Sequence, residues 1–144
     1  MTKAASLACD AVILDLEDAV APAAKKDARE AIGRVLQDVD FGSRTVVVRV
    51  NALDTPWGRG DIAAAMEWSR VDAIALPKVQ GPEDIDKLGL VMRRMGSASS
   101  SLPVWAFVET ARGVLAADKT ASSSDLVQAL VMGSNDLAKD LNAR

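Results

Sequence analysis

Five short apolar runs punctuate the chain at intervals of roughly 25 to 35 residues, a spacing that suits strand-plus-helix units. They are residues 11–16 (AVILDL), 45–50 (TVVVRV), 73–76 (AIAL), 104–108 (VWAFV) and 129–132 (ALVM). Apart from a polar residue near their ends they lack in/out alternation, as expected of strands covered on both faces of a parallel sheet. Between them, apolar positions recur at helical spacing. Residues 24–37 (AKKDAREAIGRVLQ) set Ala28, Ala31, Ile32, Val35 and Leu36 on one face. Residues 61–69 predict a second helix with Asp61 at its start, and residues 82–95 a third, opened by proline and two acids as helix N-termini favour. Residues 97–101 (SASSS) and 122–124 read as surface loops, with Pro103 at a strand start and a short, poorly defined helix between the loops. Helix and strand alternate throughout (α-β-α-β-α-β-α-β-α-β-α), with no internal repeat and no linker. That order means an α/β fold, either a barrel or a doubly wound sheet, and periodicity does not choose between them.

Composition narrows the function classes. The 144 residues are 49% apolar and 26% charged, which is globular usage, and suffice for one domain, residues 1–144, with a real core. Seventeen basic residues face twenty acidic ones, for a net charge of −3. No basic stripe appears, so neither nucleic acid nor an anionic membrane surface is an expected partner. The apolar runs are too short to span a bilayer, and the start, MTKAASLACD, has no apolar region behind its lysine. The expected location is cytoplasmic. The single cysteine, Cys9, excludes an internal disulfide; ahead of an apolar strand it reads as a small buried hydrophobe. The chain has no histidine. That removes the commonest general base, most zinc sites and every Ser-His or Cys-His nucleophile, and leaves Asp, Glu, Lys, Arg and a hard metal held by oxygen ligands.

Those residue types gather at the C-terminal end of each expected strand: Asp15, Glu17 and Asp18 after the first, Arg49 and Asn51 after the second, Pro77 and Lys78 after the third, Glu109 after the fourth, and residues 133–136 (GSND) after the fifth. In a parallel barrel these ends converge on one mouth, where active sites form. Carboxylates without histidine suit Mg²⁺ or Mn²⁺. An arginine among them offers a planar, two-pronged partner for a substrate carboxylate. A metal that chelates a keto acid acts as a Lewis acid, which fits carbon–carbon bond formation or cleavage beside a carbonyl. Plainer readings stand beside these. The acids at 15, 17 and 18 suit a helix N-terminus, Arg49 suits a structural ion pair with Asp15, Glu109 suits a helix cap, and Asp136 an ordinary helix start. Lys78 suits a Schiff base, a supporting or phosphate contact, or plain exposure. Trp57 suits a residue lining the mouth, and Trp105 a core residue.

Five segments in order resemble the HpcH/HpaI aldolase/citrate lyase family, in particular its citrate lyase β-subunit-like members. Residues 10–29 (DAVILDLEDAVAPAAKKDAR) look like the family's DLEDAV segment with its following K-x-x-x-R; residues 48–62 (VRVNALDTPWGRGDI), 76–79 (LPKV), 107–113 (FVETARG) and 132–141 (MGSNDLAKDL) match its later segments. Asn142 stands where members often have glycine. Members open with a further strand, R-S-x-L-F-V-P-G, and continue past the fifth, so the resemblance implies a chain truncated at both ends. On that reading it holds about five of the eight strands of a (β/α)8 TIM barrel of the phosphoenolpyruvate/pyruvate type.

The resemblance implies that Glu109 and Asp136 ligate Mg²⁺, with Mn²⁺ as an alternative. It implies that Arg49 holds the carboxylate of a keto acid, with Glu109 and residues Gly133, Ser134 and Asn135 touching the same substrate. Asp15, Glu17 and Asp18 would work with Arg49, orienting it and metal-bound water. Lys25 and Arg29 sit where some members hold coenzyme A phosphates. The implied reaction is cleavage or formation of a short hydroxyacyl-CoA, of the citryl-CoA or malyl-CoA type, giving a keto acid and an acyl-CoA. A homo-oligomer, trimer or hexamer, is implied as well. The alternatives are a class II pyruvate aldolase acting on hydroxy-keto acids, and a non-catalytic barrel fragment that assembles with a partner.

Overall fold

The computed structural model describes residues 2–96 and 102–143; the serine-rich loop expected at 97–101 lies outside them. A 3₁₀ turn, Thr2–Ser6, precedes five β/α units. The strands are β1 (Ala11–Asp15), β2 (Thr45–Arg49), β3 (Ala73–Leu76), β4 (Val104–Val108) and β5 (Val127–Met132). The helices are α1 (Lys25–Asp38), α2 (Gly58–Glu67), α3 (Pro82–Met95), α4 (Ala111–Ala121) and α5 (Ser134–Asp140). All four strand pairings are parallel and the sheet order is β1-β2-β3-β4-β5. A doubly wound sheet reverses direction at a switch point, whereas a barrel adds each strand beside the last. The order is that of a barrel.

The two faces of the sheet carry different cores. Val12, Leu14, Val46, Val48, Ile74, Leu76, Val104 and Ala106 point to the helices and pack with Ile32 and Leu36 of α1, Ile62 of α2 and Ile85, Leu88 and Met92 of α3. The opposite face is thinner: Val47, Ala73, Ala75 and Phe107, flanked by Trp105 and Val131. The small Ala73 and Ala75 on β3 lie beside the large Trp105 and Phe107 on β4, a large-against-small fit that fills a barrel interior. The expected two-sided burial holds for β2, β3 and β4. It fails for β1 and β5, where buried and open positions alternate. Each of these pairs with one neighbour only among the described residues, so Ile13 is 41% exposed and Met132 68%.

Four further expectations are corrected. Helix α2 begins at Gly58, three residues before Asp61. Its Gly-Arg-Gly opening resembles a turn in sequence, but Gly58 is needed for close approach to backbone and Gly60 leaves room for a side chain. A Cβ on Gly58 would overlap the carbonyl oxygen of Ala52, and one on Gly60 would sit 3.0 Å from the Arg29 guanidinium. Strand β5 starts two residues earlier than expected, because Val127 pairs with Val104 across a register shift. Helix α4 runs for 11 residues. It is capped by Thr110, whose hydroxyl accepts from the amide of Gly113 at 3.0 Å, but it buries only Gly113 and Thr120 and so lacks a readable apolar face. Cys9 is exposed, because it lies in the turn before β1 and not on the strand.

Gly58→Ala should destabilise the chain by about 1–3 kcal/mol, the usual cost of overpacking, since the atoms it meets are the backbone carbonyls of Asn51 and Ala52. Urea unfolding checks this; an unchanged midpoint would show that the β2–α2 loop yields freely.

Candidate active site at the C-terminal ends of the strands

Strand register makes the first contact. Asp15 and Arg49 are direct partners across β1 and β2, on the same face, and Ala75 beside Arg49 on β3 leaves the long side chain room. Arg49 donates from Nε to Asp15 Oδ1 at 2.8 Å and from Nη2 to Asp15 Oδ2 at 2.5 Å, and its Nη1 lies 3.0 Å from Glu17 Oε2. Its guanidinium stands 5.4 Å from the centre of the Phe107 ring. All three guanidinium nitrogens thus face carboxylates, Nε and Nη2 that of Asp15 and Nη1 that of Glu17, so a carboxylate received in two-pronged fashion on the Nη1–Nη2 edge competes with Glu17. Burial works to raise the Asp15 carboxyl, but hydrogen bonds from Arg49 and from the amides of Glu17 and Ala19 outweigh it and hold Asp15 below its usual range. The ion pair with Asp15 that the sequence allowed is therefore present.

Lys78 ties the other strand ends together. Its backbone is in the left-handed region, φ 52, a conformation that costs a non-glycine residue about 1–2 kcal/mol and is typical of functional sites. Its amide donates to Glu109 Oε1 at 2.8 Å, and its ammonium lies 2.5 Å from Glu17 Oε1, 3.6 Å from Asp18 Oδ1 and 3.9 Å from Asp136 Oδ2. Burial pulls the Lys78 ammonium down, but Glu17 and Asp18 more than offset it and raise it. Glu109 is only 2% exposed, and burial pushes its carboxyl above the ordinary value. Its side chain packs on Gly133, where a Cβ would overlap Glu109 Oε2. Burial and the neighbouring Asp136 carboxylate raise the Asp18 carboxyl above its usual range. Asp136, bound first by Lys139 and also by Asp18, is held below the usual carboxylate range. Asp18, Lys78, Glu109, Thr110, Asp136, Lys139 and Asp140 line an open cleft of about 710 Å³.

The mouth thus gathers Asp15, Glu17, Asp18, Arg49, Glu109 and Asp136. Ser134 and Asn135 are exposed in the first turn of α5, beside the cleft. Three cleft residues were not singled out from the sequence: Thr110, Lys139 and Asp140, whose carboxylate accepts from the Ala111 amide at 2.8 Å. The signal for Thr110 was its place just before a helix.

Below the mouth lies a buried polar network. Asp61, fully buried, accepts at Oδ1 from Arg29 Nε at 2.8 Å and at Oδ2 from the amide and side-chain nitrogens of Asn51, at 3.0 and 2.6 Å. Asn51 Nδ2 donates in turn to the Leu16 carbonyl at 2.9 Å. Buried Lys25 donates to the carbonyls of Leu16 and Glu17, both at 2.7 Å, and faces the Trp57 ring at 5.5 Å. Lys25 and Arg29 therefore have their charged ends engaged with the β1–α1 and β2–α2 loops, and Trp57 covers Lys25.

The donor set suits a hard divalent cation. It consists of carboxylates, and a lysine ammonium already stands among them, near Asp18 and Asp136. Among the described residues no three acidic or thiol groups converge on a single point. A pair such as Glu109 and Asp136, completed by water and substrate oxygens, is the arrangement Mg²⁺ accepts.

Comparison with known proteins agrees with this layout. The family model described as HpcH/HpaI aldolase/citrate lyase matches residues 1–144. A (3S)-malyl-CoA thioesterase of Cereibacter sphaeroides (strain ATCC 17029 / ATH 2.4.9) is 44% identical over 144 residues, 100% of this chain and 47% of that protein. The citrate lyase subunit beta of Leuconostoc mesenteroides subsp. cremoris is 35% identical over 136 residues, 92% of this chain and 45% of that one. The crystal structure of RipC from Yersinia pestis superposes with a TM-score of 0.76 at 28% identity, covering 97% of this chain and 59% of that chain. The chain spans about half the length of the curated relatives it matches. Among the described residues no helix is long and apolar enough to cross a membrane.

Proposed function

Because the chain belongs to the HpcH/HpaI aldolase/citrate lyase family, we propose that its mouth is the keto-acid half of a Mg²⁺-dependent lyase site. The substrate is a short hydroxyacyl-CoA of the malyl-CoA or citryl-CoA type, split into a keto acid and an acyl-CoA. The observation that carries the reading is the Arg49 guanidinium, held by Asp15 and Glu17 at the same strand ends from which Glu109 and Asp136 depart. Glu109 and Asp136 would hold the metal, with Mn²⁺ able to replace Mg²⁺; when bound it supplies Lewis-acid stabilisation of negative charge on the keto-acid oxygen. Arg49 receives the substrate carboxylate on its Nη1–Nη2 edge, in place of the Glu17 contact. Asp15, bound at Nε and Nη2, keeps its plane from rotating, so little order is lost on binding. Glu109, buried against Gly133, excludes water from one side of the reacting carbonyl. Ser134 and Asn135, in the first turn of α5, would offer backbone N–H groups to the substrate, and Gly133, whose own N–H is donated to the Val108 carbonyl at 3.1 Å, would bring the chain close to it. The ammonium of Lys25 and the guanidinium of Arg29 would meet coenzyme A phosphates only through donors left over from their loop contacts.

A second reading follows from the thioesterase relative: hydrolysis of the CoA thioester. The products separate the two, since a lyase releases a keto acid and an acyl-CoA, and a thioesterase releases free coenzyme A. A homo-oligomer in the cytoplasm is part of the proposal.

The test is a thermal melt with and without Mg²⁺, adding glyoxylate, oxaloacetate or pyruvate in turn. A ligand that binds only the folded state adds about 2.7 kcal/mol at a hundred times its dissociation constant. A keto-acid shift that requires Mg²⁺ is expected. A cooperative melt unmoved by every keto acid would overturn the assignment of the mouth.

A further inference from the structure

The residue that links most of the mouth is Lys78, and its ammonium stands where positive charge is most wanted. It approaches Glu17, Asp18 and Asp136 at 2.5, 3.6 and 3.9 Å, reaching acids supplied by the β1–α1 loop and by α5. The other cations nearby are placed differently, and Lys139, 78% exposed, pairs among the described residues with Asp136 alone, at 2.8 Å. Arg49 is anchored by two carboxylates, and Lys25 is buried on carbonyl oxygens. Lys78 alone of these cations combines an ammonium that reaches three of the acids with a side chain 43% exposed, so it can leave toward solvent. Its backbone cannot follow. The amide is held by Glu109 Oε1 at 2.8 Å, and the next amide, Val79, donates to the Phe107 carbonyl at 3.1 Å.

We propose that the Lys78 ammonium is a resident counterion of the mouth: it holds Glu17, Asp18 and Asp136 together while no divalent ion is bound, and it must swing out for one to enter. Resting on the reading of Glu109 and Asp136 as metal ligands, this makes Lys78 a positioning residue that sets the affinity for the ion. The physical cause is repulsion between like charges. A unit charge about 4 Å from a divalent ion weakens its binding by about tenfold or more even with water-like screening. The amide contact to Glu109 is a separate matter, since any side chain at position 78 retains it.

The experiment is a Mn²⁺ titration of the full chain, followed by electron paramagnetic resonance of the free ion, with no substrate present. Lys78→Met keeps the unbranched stem and removes the charge; Lys78→Arg keeps the charge. The expected result is that K78M binds Mn²⁺ about tenfold or more tightly than the wild type, and K78R no more tightly. Equal or weaker binding by K78M would overturn the counterion role and leave the metal assignment standing. No Mn²⁺ binding by either wild type or K78M would overturn both. If K78M does not melt cooperatively, Lys78→Gln reads the same difference.

Discussion

Asp61→Ala is expected to lower the unfolding free energy by about 3–5 kcal/mol, the range for breaking a buried ion pair by removing one partner. The carboxylate is fully buried and takes hydrogen bonds from Arg29 and from both nitrogens of Asn51. Alanine leaves the guanidinium and two amide groups without their acceptor, and each stranded polar group adds its own desolvation cost. The loss propagates, because Asn51 also holds the Leu16 carbonyl, from which the loop to Glu17 and Asp18 departs. In a chain of this size the melting temperature should fall on the order of 10 °C. Asp61→Asn, which keeps an acceptor oxygen, should lose less. Arg29→Met combined with Asp61→Ala should lose less than the sum of the two, since no charge is then stranded. Thermal melts of the wild type, the three single variants and the double variant decide it; additive losses would mean that Arg29 and Asp61 do not act as a pair.

Glu109→Gln should abolish the Mg²⁺-dependent response to keto acids without lowering the melting temperature at neutral pH. The folded chain raises the Glu109 carboxyl above its ordinary 4.5, so the native state holds that proton more tightly than the unfolded state. The sign follows: stability falls as pH rises from the unfolded value through the folded one, and at neutral pH the ionised group is a net cost. Glutamine removes that cost and keeps an oxygen for the Lys78 amide. A more stable protein that has lost ligand response is the mark of a strained functional group. Gly133→Ala reaches the same carboxylate from the other side, since its Cβ would overlap Oε2 and lie 2.6 Å from the Glu109 Cβ. It too should lose the response, but with a lower melting temperature. Retention of a Mg²⁺-dependent shift in E109Q would remove Glu109 from the metal site.

Much of the fold was legible because the determining signals are local. Strands β3 and β4 and helix α3 have the bounds that the apolar runs and Pro82 predicted. Even the departure at Asn142 has a local reason: the residue adopts φ 49 just past α5, and asparagine is, after glycine, among the residues that tolerate that region best. Helix α4 was not legible, because its stability rests on the Thr110 cap and on Gly113 packing against the Val79 carbonyl, and neither leaves an apolar stripe.

From the chain alone came the succession of β/α units, the dependence on oxygen ligands that follows from having no histidine, and the placing of acids, arginine and lysine at the strand ends. These are properties of residue type and short spacing. Tertiary structure alone decided which of those groups meet. The sequential sheet order chose the barrel over the doubly wound sheet. Register set Asp15 opposite Arg49, the left-handed turn at Lys78 carried its ammonium to Glu17, and the packing of α1 on α2 joined Arg29 to Asp61. Periodicity reports only the face on which a residue lies. The partner it finds across that face is fixed by strands and helices from distant parts of the chain.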